Sequence, residues 1–200
     1  EGPVVMTGPC LPRPAPAGDD TGALFSGMAA GRPTVYVSLG TVFNSKPGIY
    51  RQLVQGAKAA GANVLVSAGA SLPSLGDLAG PGVVLQRRVP QVEVLRRVDA
   101  VITHGGNNTV QECLAAGRPM VVVPFGGDQV ANAHRVERLG MGVRLDAGGL
   151  TRETVSEALR AILAPAFRER GSALGAALAQ CGGTPAAVDA LLRVAGRAGS

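Results

Sequence analysis

A histidine and two glycines, His104-Gly105-Gly106, stand directly before an amphipathic stretch. These residue types in this order suit the binding of an anion. Glycines let a backbone approach a ligand closely and adopt φ > 0. A helix that starts there presents free N–H groups and the positive end of its dipole, for which a diphosphate is the natural occupant. Asn108 and Thr109 add polar groups at the first turn, and His104 has a donor for a phosphate oxygen. A ligand-free alternative stands beside this one: Thr109-x-x-Glu112 has the spacing of a capping box. Glu112 would be repelled by phosphates, but one turn along the helix it can accept from sugar hydroxyls, as in ribose recognition. Further on, Asp128-Gln129 follows an apolar run and the loop Pro124-Phe125-Gly126-Gly127. An acid and an amide can accept from and donate to vicinal hydroxyls, the way a hexose is gripped. The competing reading is that Asp128 caps the helix after it.

Two other segments carry polar groups just after apolar runs. Ser38-Leu39-Gly40-Thr41 offers hydroxyls and a glycine turn for a phosphate or sugar contact. Arg88-Val89-Pro90-Gln91 offers a backbone turn and an amide suited to a pyrimidine edge, with Arg87 or Arg88 able to stack on a base. Several familiar sites are missing. No GxxxxGK[ST] loop, no GxGxxG after a strand and no GxSxG elbow occurs, which disfavours a Walker nucleotide site, a dinucleotide cofactor and a serine hydrolase. His104 and His134 are the only histidines, and Cys10, Cys113 and Cys181 are far apart. Neither a zinc site nor a disulfide framework is expected, and a reducing, cytoplasmic setting fits. The net charge is +5, but the basic residues are scattered and aromatics are only 3%, which disfavours nucleic acid as a partner. No apolar run approaches the roughly 20 residues of a membrane span, so stable membrane insertion is not expected.

These segments need elements to position them, and the chain supplies an alternating series. Strands are expected at 34–39, 63–69, 83–89, 100–103, 119–125 and 142–145. Helices are expected at 49–61, 91–98, 108–117 and 129–140, then at 152–164 with Thr151 as N-cap, 166–180 and 184–196. Gly171, Gly175, Gly182 and Gly183 weaken the helix at 166–180. Strand–helix alternation predicts an α/β fold, a Rossmann-like parallel sheet flanked by helices. In such sheets ligands bind beyond the carboxyl ends of the strands, where every segment above falls. Residues 1–32 read as a short strand and a Pro/Gly-rich connector, the cut end of a longer protein. Residues 33–200 read as a nucleotide-sugar-binding domain with C-terminal helices.

Taken together, Val37-Ser38-Leu39-Gly40-Thr41, Val89-Pro90-Gln91, Thr103-His104-Gly105-Gly106, Thr109-x-x-Glu112, Gly117 to Pro124 and Asp128-Gln129, in that order, resemble the donor-binding half of a glycosyltransferase. The likeness is to family one, of the bacterial natural-product and macrolide type, and to the signature of plant UDP-glycosyltransferases. It spans about residues 3 to 195. It implies one half of a GT-B fold, two facing Rossmann-like domains, with the partner half on the same or a separate chain.

The resemblance assigns the site residue by residue. Arg88, Val89 and Gln91 would lie at the nucleobase and Glu112 at the ribose. His104, Gly106, Asn108 and Thr109 would surround the diphosphate, with Ser38 and Thr41 nearby. Asp128 and Gln129 would bind the sugar. Val4 to Pro9 would be the strand entering this half, and the last helix would cross back to the acceptor half. The implied reaction is inverting, metal-independent transfer from a UDP- or dTDP-sugar, a substrate and not a cofactor, to a small-molecule hydroxyl. The family's general base, a histidine of the acceptor half, has no counterpart here, so no catalytic residue is expected in this chain. Two positions depart from the pattern: Arg88 stands where the plant signature has tryptophan, and Asn107-Asn108 replaces smaller residues. A donor-binding subunit of a two-chain GlcNAc transferase, an epimerase of the UDP-GlcNAc type and a non-catalytic nucleotide-sugar binder are the rival readings.

Overall fold

The computed structural model describes residues 4–11, 21–40 and 45–198. Six strands form one sheet: β1 Thr34–Ser38, β2 Asn63–Ser67, β3 Val83–Gln86, β4 Ala100–Thr103, β5 Met120–Val122 and β6 Gly142–Arg144. Their order is β3-β2-β1-β4-β5-β6, and every pairing is parallel. Among the described residues seven α-helices accompany them: α1 Pro47–Ala59, α2 Gln91–Leu95, α3 Asn107–Ala115, α4 Asp128–Arg138, α5 Arg152–Ile162, α6 Pro165–Ala179 and α7 Gly183–Ala198. The expected fold class is the observed one.

The strands are short and apolar on both faces because helices cover both sides. Val35 and Val37 of β1, Val64 and Val66 of β2, Ala100 and Ile102 of β4 and Val121 of β5 pack with Leu53, Val54, Val155 and Leu159 of α1 and α5. The alternate residues Tyr36, Leu65, Val101, Met120 and Val122 face Leu95, Val110, Cys113, Ala133 and Val136 of α2, α3 and α4. Each such buried aliphatic side chain contributes about 1.5–3 kcal/mol by leaving water. Chain order reverses between β1 and β4: the chain runs outward through β2 and β3, then returns to the other side of β1. That reversal opens a crevice at the carboxyl edge.

The opening residues differ from expectation. Val4 to Leu11 join no ladder; the carbonyl of Thr7 instead accepts from the N–H of Gly183, so this segment lies along the α6–α7 turn and not beside a strand. Thr151 caps α5 as expected, with Thr154 completing a reciprocal box. Helix α6 runs unbroken through Gly171 and Gly175. These glycines are contact points: a Cβ on Gly171 would lie 2.3 Å from the carbonyl oxygen of Gly117. Among the described residues no helix is long and apolar enough to cross a membrane.

Candidate functional site

The site grows from the last residues of β1 and β4. Ser38 pairs with Thr103 in parallel register, so the chain leaves both strands side by side. His104 follows Thr103, and its imidazole lies close against two glycines. A Cβ on Gly40 would lie 2.6 Å from its Cε1, and one on Gly106 would lie 2.7 Å from its Nε2. Gly105 makes the turn at φ +88°, where a Cβ would meet Val122 at 2.8 Å. The Gly105 N–H donates to Thr103 Oγ1 at 3.2 Å, and its carbonyl accepts from Asn132 Nδ2 at 2.9 Å. Burial lowers the pKa of His104 below its ordinary value, against a weaker raising effect of the Asp128 carboxylate. The ring is therefore neutral near pH 7 and carries a single N–H donor.

Helix α3 starts at Asn107 with Gly106 as N-cap and no capping side chain. Its first-turn amides are left for solvent or a ligand. The capping-box alternative for Thr109 and Glu112 is overturned. Thr109 lies inside the first turn, and Glu112 is turned to Gln91, whose Nε2 donates to it at 2.6 Å. The Asp128 cap fails likewise: α4 begins at Asp128, and its N-cap is Gly127 at φ +60°. Both carboxylates are thus released from the fold roles that competed for them.

The structure brings most of the expected residues to this edge. Ser38, Gly40, Arg88 and Val89 line a cleft of about 360 Å³ with Ser67, Gly69, Ala70 and Arg87. Asn108 and Glu112 line a second hollow of about 320 Å³ with Cys10, Leu11 and Gln111. Gln91 is part-buried and bonded at both ends of its amide. Its Oε1 accepts from Tyr36 at 3.0 Å, and its Nε2 donates to Thr109 at 3.3 Å and to Glu112 at 2.6 Å. Gln129 is buried, and its Oε1 accepts from the N–H of Phe125, holding the loop before α4. Asp128 is exposed at the start of α4. Thr41 lies outside the described residues. Among the described residues no three His, Cys, Asp or Glu side chains are gathered to hold a metal ion.

Four contributors escape a reading of the sequence. Ser67 ends β2 and Ala70 follows it, and the rule that ligands bind past strand ends is the signal that flags them. Asn132 bonds Gly105 and also approaches Asp128 Oδ2 at 3.4 Å; its spacing four residues after Asp128, on the same helix face, is the available signal. Tyr36 lies inside a strand and carries no local signal.

A parallel sheet with a crevice at its order reversal, and a glycine turn feeding an uncapped helix, defines a Rossmann-like domain. Residues 17–174 match the UDP-glucoronosyl and UDP-glucosyl transferase family, and the chain belongs to it. It is 36% identical over 165 residues to the demethyllactenocin mycarosyltransferase of Streptomyces fradiae, an alignment that covers 79% of this chain and 33% of that protein. It is 36% identical over 133 residues to the NDP-glycosyltransferase YjiC of Bacillus subtilis (strain 168), covering 66% of this chain and 34% of that one. Among solved structures it resembles the glycosyltransferase of kitacinnamycin, with TM-score 0.81 and 34% identity over 94% of this chain and 48% of the other. The UDP complex of Os79 from O. sativa also aligns, with TM-score 0.65 and 28% identity over 72% of this chain and 35% of that one. The chain spans about a third of the length of these curated relatives.

Proposed function

We propose that this chain is the nucleotide-sugar donor-binding half of an inverting, metal-independent glycosyltransferase. It would move a hexose from a UDP- or dTDP-sugar to a hydroxyl of a small-molecule acceptor, whose binding half is a separate N-terminal domain on the same or another chain. The observation that carries this reading is the uncapped start of α3 beside a neutral His104, with Glu112 and Asp128 both released from capping. Diphosphate charge suits the α3 amides and the imidazole N–H. The ribose diol suits Glu112, and the sugar hydroxyls suit Asp128 and the Gln129 amide. In the transfer, the acceptor oxygen forms a bond to the anomeric carbon while the bond from that carbon to the phosphate oxygen breaks. The nucleoside diphosphate leaves with the electron pair, and the acceptor proton passes to a base of the other half. Donors aimed at such a leaving group contribute several kcal/mol, on the order of those in oxyanion holes. The same reading assigns the chain to the cytoplasm, where its free cysteines stay reduced.

Titration calorimetry with UDP and dTDP tests the reading. The chain should bind at least one of them and, alone, turn over a donor sugar poorly or not at all. No heat from either nucleotide at millimolar concentration would remove it.

A further inference from the structure

The amide of Gln91 is engaged at both ends by residues of fixed polarity. A carboxylate only accepts hydrogen bonds, so the group 2.6 Å from Glu112 Oε2 must be the Gln91 NH₂. Its second N–H reaches Thr109 Oγ1 at 3.3 Å. The Gln91 carbonyl then points the other way, to the phenol of Tyr36 at 3.0 Å, and the phenol must donate. Tyr36 itself is 1% exposed in the middle of β1. Burial pushes its pKa up to about 12, so the phenol keeps its proton at any biological pH. The hydroxyls of Ser38 and Ser67, which line the 360 Å³ cleft, work against burial and lower the phenol's pKa. The result is a directional run of hydrogen bonds from Tyr36 through Gln91 to Glu112.

We infer that Tyr36 is a positioning residue for donor binding: through the Gln91 amide it holds the Glu112 carboxylate with one oxygen tied back and the other turned to the ribose diol. The inference rests on the proposed role of Glu112 and goes beyond it, because Tyr36 sits behind the site and touches no ligand. Without the phenol O–H, the Gln91 amide can rotate and the carboxylate loses its charge-assisted anchor. Binding of a ribonucleotide then weakens, while a nucleotide without the diol is indifferent.

The test is Tyr36→Phe, which keeps the ring and its packing. Dissociation constants for UDP and for 2′,3′-dideoxy-UDP are measured by calorimetry, in the native chain and in a Glu112→Ala background. Tyr36→Phe should weaken UDP about three- to tenfold, the worth of one such hydrogen bond, and dideoxy-UDP by less than about twofold. In the Glu112→Ala background it should add nothing. Equal weakening of both nucleotides would reduce Tyr36 to a structural residue and overturn the inference. So would Glu112→Ala weakening UDP while Tyr36→Phe does not, which leaves the diol role of Glu112 standing. Glu112→Ala without effect on UDP would remove that role and the relay together. Gln91→Leu breaks the same relay from outside the sheet and should show the same selectivity for the diol; it carries the test if Tyr36→Phe fails to fold.

Discussion

Replacing Gly40 by alanine probes its close contact with His104. Two effects add. Gly40 has φ +76°, a left-handed conformation that costs an L-residue about 1–2 kcal/mol. The new Cβ also lies 2.6 Å from His104 Cε1 and 2.8 Å from Nε2, whereas ordinary contact starts at 3.4 Å. The ring must therefore retreat by 3.4 − 2.6 = 0.8 Å. An imidazole pushed off its rotamer adds about 0.5–1.5 kcal/mol. The sum is about 1.5–3.5 kcal/mol, or roughly 3–14 °C in melting temperature for a domain of this size.

Gly61 supplies the control. It has φ +83°, and a Cβ there would meet nothing within 4 Å, so Gly61→Ala carries only the backbone penalty. Urea unfolding of the two variants should differ by about 1 kcal/mol, the cost of moving the ring. That difference should vanish in a His104→Ala background, and on the proposed role of His104 Gly40→Ala should also weaken UDP by displacing the ring from the proposed phosphate seat. Gly40→Ala no worse than Gly61→Ala, or an excess that survives His104→Ala, would refute that contact.

Glu112→Ala should lower stability by less than about 1 kcal/mol, because the residue caps nothing, while weakening UDP tenfold or more through loss of a charged hydrogen-bond acceptor; melting curves beside calorimetry separate the two, and a stability loss with unchanged affinity would return Glu112 to a fold role. His104 gives a pH slope. Above its ordinary pKa of 6.5 both folded and unfolded states hold it neutral; below that, the unfolded chain takes up a proton that the buried ring resists, so stability falls as pH drops from 6.5 toward the lowered folded value. His104→Asn should flatten that part of the urea-midpoint profile, and an unchanged slope would contradict the burial of a neutral ring. Asn132→Ala should cost about 1–3 kcal/mol by leaving the Gly105 carbonyl buried without its donor; a change below about 0.5 kcal/mol by urea unfolding, the size of a neutral surface substitution, would show that the turn holds itself.

The fold is legible because its strands are short apolar runs punctuated by glycine and proline. The expected and observed bounds of β4 coincide, whereas the longer expectations for β2, β3 and β5 extend strands into the loops that make the site. Periodicity marks apolar faces, but it does not show where a ladder ends and a binding loop begins. The candidate site is legible where residues cluster along the chain, as in His104 to Glu112. It is hidden where partners meet only in space. Whether Glu112 caps α3 or faces a ligand depends on Gln91, 21 residues away, and local spacing favours neither. The same holds for Tyr36, a buried strand residue whose hydroxyl matters only because β1 lies beside the start of α2. The opening segment misleads for a related reason: an extended, β-branched run resembles a strand until its hydrogen-bond partner is known, and that partner is a helix–helix turn.

The position of His104 follows from topology more than from its own loop. In a sheet ordered β3-β2-β1-β4-β5-β6, the two strands flanking the reversal are β1 and β4, and their register places Ser38 opposite Thr103. Whatever follows Thr103 must emerge next to whatever follows Ser38. A ring at 104 then needs room at position 40, which glycine alone grants, and α3 needs Gly105 to turn away from Val122 so that its amides open on the same crevice. Desolvation by that packing is also what keeps the ring neutral. One arrangement of strands therefore sets the histidine's place, its protonation and the helix start beside it, and the two glycine-bearing loops work as a single device although Gly40 and His104 are 64 positions apart in the chain.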